Sequence, residues 1–317
     1  MKSFAHDSEN ANVSSKVLLT KKLLTGKYMK DYFGLVLIRS RKIIVVLSLL
    51  CFSVFTYALP APMPVVEDHF SIGAGAAYNS SPFLGYNGFA TPMPFFDIRY
   101  GNFFAKNNHD EPVIGFELFR HKRIMLAVAA TRGRTFLDLD EINKKNEILY
   151  LGLEDRDQAV EAGLIFHFYS RVGLFEATAF HDMTSTYGGT RSSLSISRPF
   201  PETGNWEIVP RFFIKHYSEK FNNYYYGVTV EDNNNAEDDV IASGSTLADY
   251  IRITRPAYDA GNSGHVGVDL DIKYNFTESL SAVGYIAIEK FSGSVETSPL
   301  IEDKELVTTS LGLQYNF

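Results

Sequence analysis

Apolar and polar residues alternate with a period of two along most of the chain after residue 66. The clearest stretch runs from His265 to Phe276, where six apolar residues alternate with a polar series that includes Asp269, Asp271 and Lys273. Alternation over about ten residues is typical of a strand that crosses a membrane with one side towards lipid and the other towards a polar interior. A half-solvated strand of a soluble protein would show the same pattern, so an aromatic-rich soluble β-sandwich is the alternative fold.

Twelve segments show this alternation, clearly or in a weaker form. They are residues 69–79, 93–101, 112–120, 123–132, 157–169, 172–181, 189–198, 206–217, 222–231, 265–276, 279–291 and 307–317. No segment after residue 66 has a sustained helical period, and none has the ~20 consecutive apolar residues that a membrane helix needs. The pattern predicts an all-β fold, an antiparallel up-and-down transmembrane β-barrel of about 12 strands, the even number that bacterial barrels require. This barrel would span residues 69–317.

Connection lengths favour the barrel over the sandwich. If both ends of the barrel segment are periplasmic, odd-to-even connections face outward and are expected to be long. The acidic connection 232–264 and the connection 292–305 are long and outward, whereas the short turns 275–279 and 218–221 fall on periplasmic positions. The connection 133–156 disagrees, because it is long where a short turn is expected. Either it folds into the lumen, or the strand count is wrong by a hairpin.

The chain before residue 59 has the pattern of a secretory leader. Residues 43–59 carry no charge and follow three basic residues. A basic stretch, a short apolar core and a small residue at the cleavage site are the parts of a signal peptide. We therefore predict a leader over residues 1–58, cleaved after Ala58, and a short linker over 59–68; an uncleaved anchor is the alternative. Met29 is an alternative start, because a signal peptide of ordinary length would begin there.

Composition excludes some classes of function. The segment before residue 59 holds 9 of the 30 Lys and Arg but only 3 of the 37 Asp and Glu. The remainder therefore carries 21 basic and 34 acidic residues, a net charge of −13, which argues against nucleic-acid binding. The single cysteine, Cys51, lies in the leader, so a cleaved chain has neither a disulfide nor a thiolate metal site. Phe and Tyr are frequent, as in the aromatic girdles of membrane barrels.

The last residues carry the most specific signal. Phe317 ends the sequence, and Leu313 and Tyr315 lie on the same side of the alternating final strand. The outer-membrane assembly machinery takes up a terminal strand of this kind by pairing with its edge. We therefore predict that Leu313, Tyr315 and Phe317 form an assembly signal. The predicted location is the outer membrane of a Gram-negative bacterium, with the assembly machinery, outer-membrane lipid and lipopolysaccharide as partners.

Six short motifs occur in an order that resembles the MipA/OmpV family of outer-membrane proteins. They are Ile72–Tyr78, Thr91–Gly101, Asn223–Val228, Ala257–Gly261, Ser298–Leu300 and Gly312–Phe317. The resemblance covers roughly residues 69–317 and implies an outer-membrane barrel. It also implies a scaffolding role, because the member that gives the family its name is regarded as bringing a lytic transglycosylase and a peptidoglycan synthase together. No residue motif carries that contact over to this chain.

Signals for catalysis and metal binding are weak. His181, Asp182 and His265 invite comparison with the Ser/His/Asp site of a hydrolase, but no Gly-x-Ser-x-Gly motif is present. The run Glu231–Asp239 has the composition of a calcium loop without the spacing of an EF-hand, so a solvated surface loop is expected. The sequence therefore predicts no enzyme activity, no cofactor and no metal. An outer-membrane hydrolase ranks third among the functions considered.

Charged residues on the inward side of the predicted strands are candidates for the lumen. They are Arg99, Glu161, Glu176, Arg191, Arg211, Asp269, Asp271 and Lys273. Opposed charges in a narrow barrel either pair across the lumen and fill it or line a pore, and we favour the filled lumen. Tyr224–Tyr226 are expected in the girdle. The leading function is a structural or scaffolding protein whose periplasmic face binds murein-processing enzymes; the alternative is a narrow diffusion channel for small solutes.

Overall fold

The fold is known from a computed structural model. It describes residues 67–107, 111–133, 137–143, 146–201, 204–242 and 255–317, without the side chains of 239–242. The predicted signal peptide, its cleavage after Ala58, the alternative start at Met29 and all but the end of the 59–68 linker lie outside the described residues.

Twelve strands in the described part of the chain form a closed barrel in which each strand pairs with its neighbours in sequence and β1 pairs with β12. They are β1 (His69–Asn79), β2 (Phe89–Tyr100), β3 (Phe103–Lys106), β4 (Val113–His121), β5 (Ile124–Arg132), β6 (Val160–Tyr169), β7 (Leu174–Asp182), β8 (Thr190–Ser197), β9 (Trp206–Tyr217), β10 (Ser263–Asn275), β11 (Leu280–Phe291) and β12 (Glu305–Asn316). Every pairing is antiparallel. The predicted up-and-down barrel is confirmed.

Helical structure is confined to connections between strands. The α-helices α1 (Glu219–Tyr226) and α2 (Val230–Ala242) follow β9, and short 3-10 turns cover Leu139–Glu141, Glu147–Tyr150 and Gly293–Thr297. Within the described residues, no helix combines the length and the apolar character needed to cross a membrane.

One predicted strand is wrong and one observed strand was not predicted, so the two errors cancel in the strand count. Segment 222–231 is not a strand but lies in α1 and the start of α2. Phe221 and Tyr225, four residues apart, stack on one side of α1 with ring centroids 4.7 Å apart, which favours a helix over an extended chain. Strand β3 is absent from the predicted set, because its four residues are too few to show alternation.

The observed strand order explains why the connection 133–156 is long where a short periplasmic turn was predicted. With β3 present, the long connection between β5 and β6 joins the same end of the barrel as the other long connections, which are 80–88, 107–112, 183–189, 218–262 and 292–304. We call this end the loop end. The opposite end, the turn end, holds the connections 101–102, 122–123, 170–173, 198–205 and 276–279 together with Phe317. The predicted periplasmic turn at 218–221 therefore lies at the loop end instead.

The two sides of each strand differ as the alternation predicts. On β12, Leu311 and Leu313 are 69% and 54% exposed, whereas Ser310 and Gln314, which precede and follow them, are buried. Apolar side chains therefore point outward to lipid, and polar side chains point into the lumen.

The seam between β1 and β12 is closed over an aromatic ring. Phe95 of β2 is fully buried in the lumen, and Gly75 pairs with Gly312 directly beneath it. A Cβ atom at either glycine would overlap the Phe95 ring. The glycines are needed here for close approach and not for turn geometry.

Candidate functional site

Buried apolar side chains from five of the six loop-end connections form one cluster, which we call the cap. Its loop members are Phe83, Tyr86, Leu137, Ile142, Tyr150, Leu153, Ala159, Tyr187, Phe221, Tyr225, Tyr226, Val228, Ala260, Val295 and Leu300. Tyr217 and Phe291, at the loop-end termini of β9 and β11, belong to the same cluster. The cap is therefore continuous with the barrel wall.

Helix α1 carries the centre of the cap. The ring of Phe221 lies 4.5 Å from that of Tyr217 and 4.9 Å from that of Tyr187. Tyr225 and Tyr226 are 1% and 2% exposed, and the hydroxyl of Tyr225 donates to the carbonyl of Asp157 at 2.8 Å. The prediction that Tyr224–Tyr226 form a lipid-facing girdle is wrong, because the helix turns these residues into the loop-end core.

Helix α2 also replaces a predicted loop. The acidic run Glu231–Asp239 is helical, and its start is capped reciprocally: the Thr229 amide donates to Asp232 Oδ2 at 2.7 Å, and the Asp232 amide donates to Thr229 Oγ1 at 3.0 Å. This Thr-x-x-Asp pattern resembles a capping box and was visible in the sequence. No group of three or more potential metal ligands occurs among the described residues.

A buried arginine fastens α2 to the loop between β5 and β6. Arg255 is fully buried and donates to the carbonyls of Leu149 at 3.0 Å and Asp232 at 3.2 Å, and to Asn233 Oδ1 at 3.1 Å. Burial lowers the pKa of Arg255 from its ordinary value, and the nearby Asp232 opposes that shift. The guanidinium thus satisfies backbone oxygens that the loops bring together without a strand partner.

Beneath the cap lies a polar network in which a serine, a histidine and a carboxylate are linked in the same order as in the catalytic triad of a hydrolase. Ser263 Oγ is 3.2 Å from His265 Nε2, and His265 Nδ1 is 2.7 Å from Glu289 Oε1. Lys215 Nζ donates to the other oxygen of Glu289 at 2.6 Å. The sequence analysis identified His265, but its partner Glu289 is on the next strand and only the pairing register reveals it.

The surroundings of this network make it a structural anchor. Ser263 is 3% exposed, and its hydroxyl also hydrogen-bonds the side-chain amide of Asn222 on α1 at 3.0 Å. The rings of Tyr217 and Phe291 each lie 4.5 Å from the imidazole of His265. A nucleophile needs access to its substrate, and this hydroxyl is covered and shared, so the network holds α1 to the barrel wall.

The other two residues considered for catalysis lie apart from this network. His181 is exposed on the outward side of β7. Asp182 is buried at the end of β7 and accepts hydrogen bonds from the amides of Thr184, Tyr187 and Gly188 at 2.7–2.8 Å. Asp182 therefore shapes the loop between β7 and β8.

Ion pairs line the lumen between the cap and the turn end. Arg191 contacts Glu161 and also donates to Glu111 Oε2 at 2.6 Å. Arg211 lies 2.7 Å from Asp269, which is fully buried. These pairs surround a cavity of only about 130 Å³, also lined by Lys106, Glu176 and Lys215. Most of the lumen at this level is occupied by side chains.

A wider space opens at the turn end. This space, the vestibule, has a volume of about 510 Å³ and a polar lining that includes His69, Asp97, Glu207, Asp271 and Lys273. His69 Nε2 lies 3.1 Å from Asp97, and Lys273 Nζ lies 3.8 Å from Glu207. Charges here are spread around an open space, in contrast to the packed pairs in the middle.

The candidate lumen residues from the sequence fall into four groups in space. Glu161, Arg191, Arg211 and Asp269 lie among the central pairs; Glu176 lines the central cavity and contacts His167 at 2.7 Å; Asp271 and Lys273 line the vestibule. Arg99 donates to Glu117 at 2.6 Å, and Glu117 is also contacted by Arg120. The sequence analysis did not identify their partners Glu111, Glu117 and His167, nor the separate pair of Lys215 with Glu289.

The aromatic residues of the predicted assembly signal lie together on the outside of the turn end. Tyr315 and Phe317 have ring centroids 4.9 Å apart, and Phe70 of β1 lies 5.2 Å from Phe317. Phe317 is 78% exposed, and its amide donates to the carbonyl of Phe70 at 3.0 Å. The final residue thus extends the seam between β12 and β1.

Comparison with known proteins finds relatives in sequence and in structure. The chain is similar to "Putative outer membrane protein YiaT" of Escherichia coli K12, with 24% identity over 262 residues, which cover 82% of this chain and 96% of that protein. It is similar to "MltA-interacting protein" of the same strain, with 22% identity over 260 residues, covering 82% and 95%. A similar solved structure is the translocator domain of autotransporter NalP from Neisseria meningitidis, with 9% identity, a TM-score of 0.43 and coverage of 90% and 98%.

These relatives are named as membrane or interacting proteins, in keeping with a barrel that lies in the outer membrane. The sequence profile described as MltA-interacting protein MipA matches residues 72–317, from β1 to the end of the sequence. The chain therefore belongs to the MltA-interacting protein MipA family of outer-membrane β-barrels.

Proposed function

We propose that this protein is a structural outer-membrane barrel that acts as a scaffold from its turn end, where it binds murein-processing enzymes in the periplasm. The observation that carries the proposal is the contrast between the ends: the cap covers the loop end, whereas the vestibule is open at the turn end. In outer-membrane barrels the short turns face the periplasm. The accessible polar surface therefore faces the compartment in which murein is processed.

Similarity supports the choice of partner. One relative is named for its interaction with MltA. We infer that the corresponding partners here are a lytic transglycosylase and, with it, a peptidoglycan synthase. Polar and charged side chains around the vestibule rim would supply the specificity of such a contact, since charges at an interface select partners more than they add affinity.

The test is capture of periplasmic proteins on the barrel purified from outer membranes. The wild-type barrel should retain a lytic transglycosylase identified by mass spectrometry. A rim variant, Glu207→Gln with Asp271→Asn, should retain less, whereas Glu219→Gln at the loop end should retain as much as wild type. Equal capture by all three barrels, or no murein enzyme on any, would count against the scaffold.

A narrow diffusion channel is the second candidate function. It is favoured by the charged linings of the central cavity and the vestibule, which lie along one lumen. Conductance in planar bilayers separates the two functions: a scaffold with a capped loop end should show no stable open level. A wild-type barrel with steady, ion-selective conductance would favour the channel instead.

A further inference from the structure

Aromatic side chains mark the level at which the outside of the turn end meets the lipid headgroups. The rings of Trp206 and Tyr274 on β9 and β10 lie 4.7 Å apart, and those of Phe168 and Phe175 on β6 and β7 lie 6.3 Å apart. Girdles of this kind lie at the membrane interface in β-barrels. Charged residues in the adjoining turns are therefore at headgroup level.

These charges are segregated around the barrel. The turns next to β4–β7 carry the exposed basic residues Lys122, Arg123 and Arg171, with His121 beside them. The chain next to β10, β11 and β1 carries the exposed acidic residues Glu67, Asp68 and Glu278. The basic turns are adjacent, because the Tyr169 amide donates to the carbonyl of Arg123 at 2.8 Å. One side of the girdle is thus suited to anions and the other is not.

The lipid-facing wall beside the basic turns contains an apolar groove. It has a volume of about 460 Å³ and is lined by Phe166, Phe168, Phe175, Ala177, Leu194 and Phe212. Ala177 pairs with Phe166 on one neighbouring strand and with Leu194 on the other. The small side chain between two large ones makes the floor of the groove.

The groove and the basic residues belong to one continuous surface. Arg171 lies in the turn that joins Phe168 to Phe175, both of which line the groove. A ligand that fits must be apolar along the wall and anionic at the turn. A glycerophospholipid with an acidic headgroup has this chemistry, and the membrane supplies it on the periplasmic side, which short turns face.

We propose that this groove and its basic turns form a binding site for an anionic phospholipid of the periplasmic leaflet. An acyl chain lies in the groove over Ala177, and the phosphate lies near Arg123 and Arg171. A basic residue near a membrane surface favours an anionic lipid by about fivefold. A protein partner fits less well, because the groove lies on the lipid side of the girdle.

The scarcity of tryptophan in the chain makes a direct test practical. Trp206 is the only tryptophan in the sequence and lies exposed in the girdle at the turn-end start of β9, outside the basic turns, so it serves as the reference reporter. The variant Phe175→Trp with Trp206→Phe moves the reporter into the groove. Each barrel is reconstituted in phosphatidylcholine vesicles with a small fraction of dibrominated phosphatidylglycerol or dibrominated phosphatidylcholine, and quenching by bromine reports contact.

Brominated phosphatidylglycerol should quench the groove reporter at a several-fold lower fraction than brominated phosphatidylcholine, whereas Trp206 should not distinguish them. Adding Arg123→Gln and Arg171→Gln should remove most of this preference, because a cation near the membrane surface contributes at most about fivefold. The matched control, Lys220→Gln with Lys290→Gln at the loop end, removes the same charge and should leave the preference intact. With folding verified by circular dichroism, equal quenching by the two lipids, the same preference at Trp206, or a preference that survives loss of both arginines would each overturn the proposal.

Discussion

The loop end and the turn end of this barrel are built with different chemistry. At the loop end, five connections bury aromatic and aliphatic side chains in the cap, and α1 is held to the wall by the Asn222–Ser263–His265 hydrogen bonds. At the turn end the connections are short, and paired or partly exposed charges surround the vestibule. The same set of strands therefore supports a closed apolar surface at one end and an open polar surface at the other.

The difference between the two ends follows from the conformational entropy that each end loses when its connections become ordered. Ordering a long loop costs conformational entropy, about 1–2 kcal/mol for each residue, and only extensive burial offsets that cost. Aromatic residues bury the most area per side chain, which accounts for the tyrosine and phenylalanine content of the cap. Short turns carry little of this cost, so their side chains remain available for partners or lipid.

The largest effect is expected at the turn-end seam. Phe317→Asp should prevent assembly into the outer membrane while export continues, because the final strand loses its aromatic end and gains a charge on the lipid side. Phe276→Asp, on a neighbouring exposed position of the turn end, is the matched control and should assemble at a reduced but measurable level. Outer-membrane fractionation gives the amounts. Wild-type levels of Phe317→Asp would argue that assembly does not depend on this residue.

A pair of variants on one strand tests the contrast between packed and open parts of the lumen. Asp269→Ala should cost about 3–5 kcal/mol in unfolding free energy, because Arg211 is left without its buried partner. Asp271→Ala, two residues along on the same side but in the vestibule, should cost about 1 kcal/mol or less. Urea titration in lipid vesicles measures both. Similar losses would mean that the vestibule is packed as tightly as the central lumen.

The cap is tested by truncating its central ring. Tyr225→Ala should destabilise the loop end by about 3 kcal/mol, the cost typical of removing a buried aromatic side chain. The control Tyr100→Ala removes a tyrosine that is 76% exposed at the turn end, and it should change stability by a few tenths of a kcal/mol, about what surface substitutions do. Hydrogen exchange of loop amides should rise in Tyr225→Ala alone. If both variants behave alike, the cap does not organise the loops.

The same contrast explains how much could be predicted from the sequence. Alternation located β9 at its observed bounds and β1 likewise, because every residue of a membrane strand faces either lipid or lumen. The cap could not be found this way, since Phe221, Tyr225 and Tyr226 fit a strand as well as a helix until their tertiary contacts are known. The Thr229–Asp232 cap was the local signal for α2 and it was missed. The pairing of His265 with Glu289 depends on register between strands and on no feature of either segment alone.

The smallest expected effect concerns acidity at the loop end. Burial, followed by the neighbouring charges of Glu302 and Glu305, raises the pKa of Asp303. This segment is fastened to the first loop by the amides of Glu302 and Asp303, which donate to the carbonyl of Pro82 at 2.9 and 3.2 Å.

Because the folded loop raises the pKa of this carboxyl above its unfolded value, the protonated form favours folding. Its contribution is complete below the unfolded pKa of about 4 and is lost as the pH rises through the higher folded pKa. Asp303→Asn should remove this dependence and, near neutral pH, slow hydrogen exchange around Pro82 by an amount equivalent to about a few tenths of a kcal/mol. Glu219→Gln, also an exposed loop-end carboxylate, is the control for loss of one charge. The deciding quantity is the difference between Asp303→Asn and wild type at pH 4 and at pH 7: it should be larger at the higher pH, and a difference that grows on acidification would reverse the assigned sign.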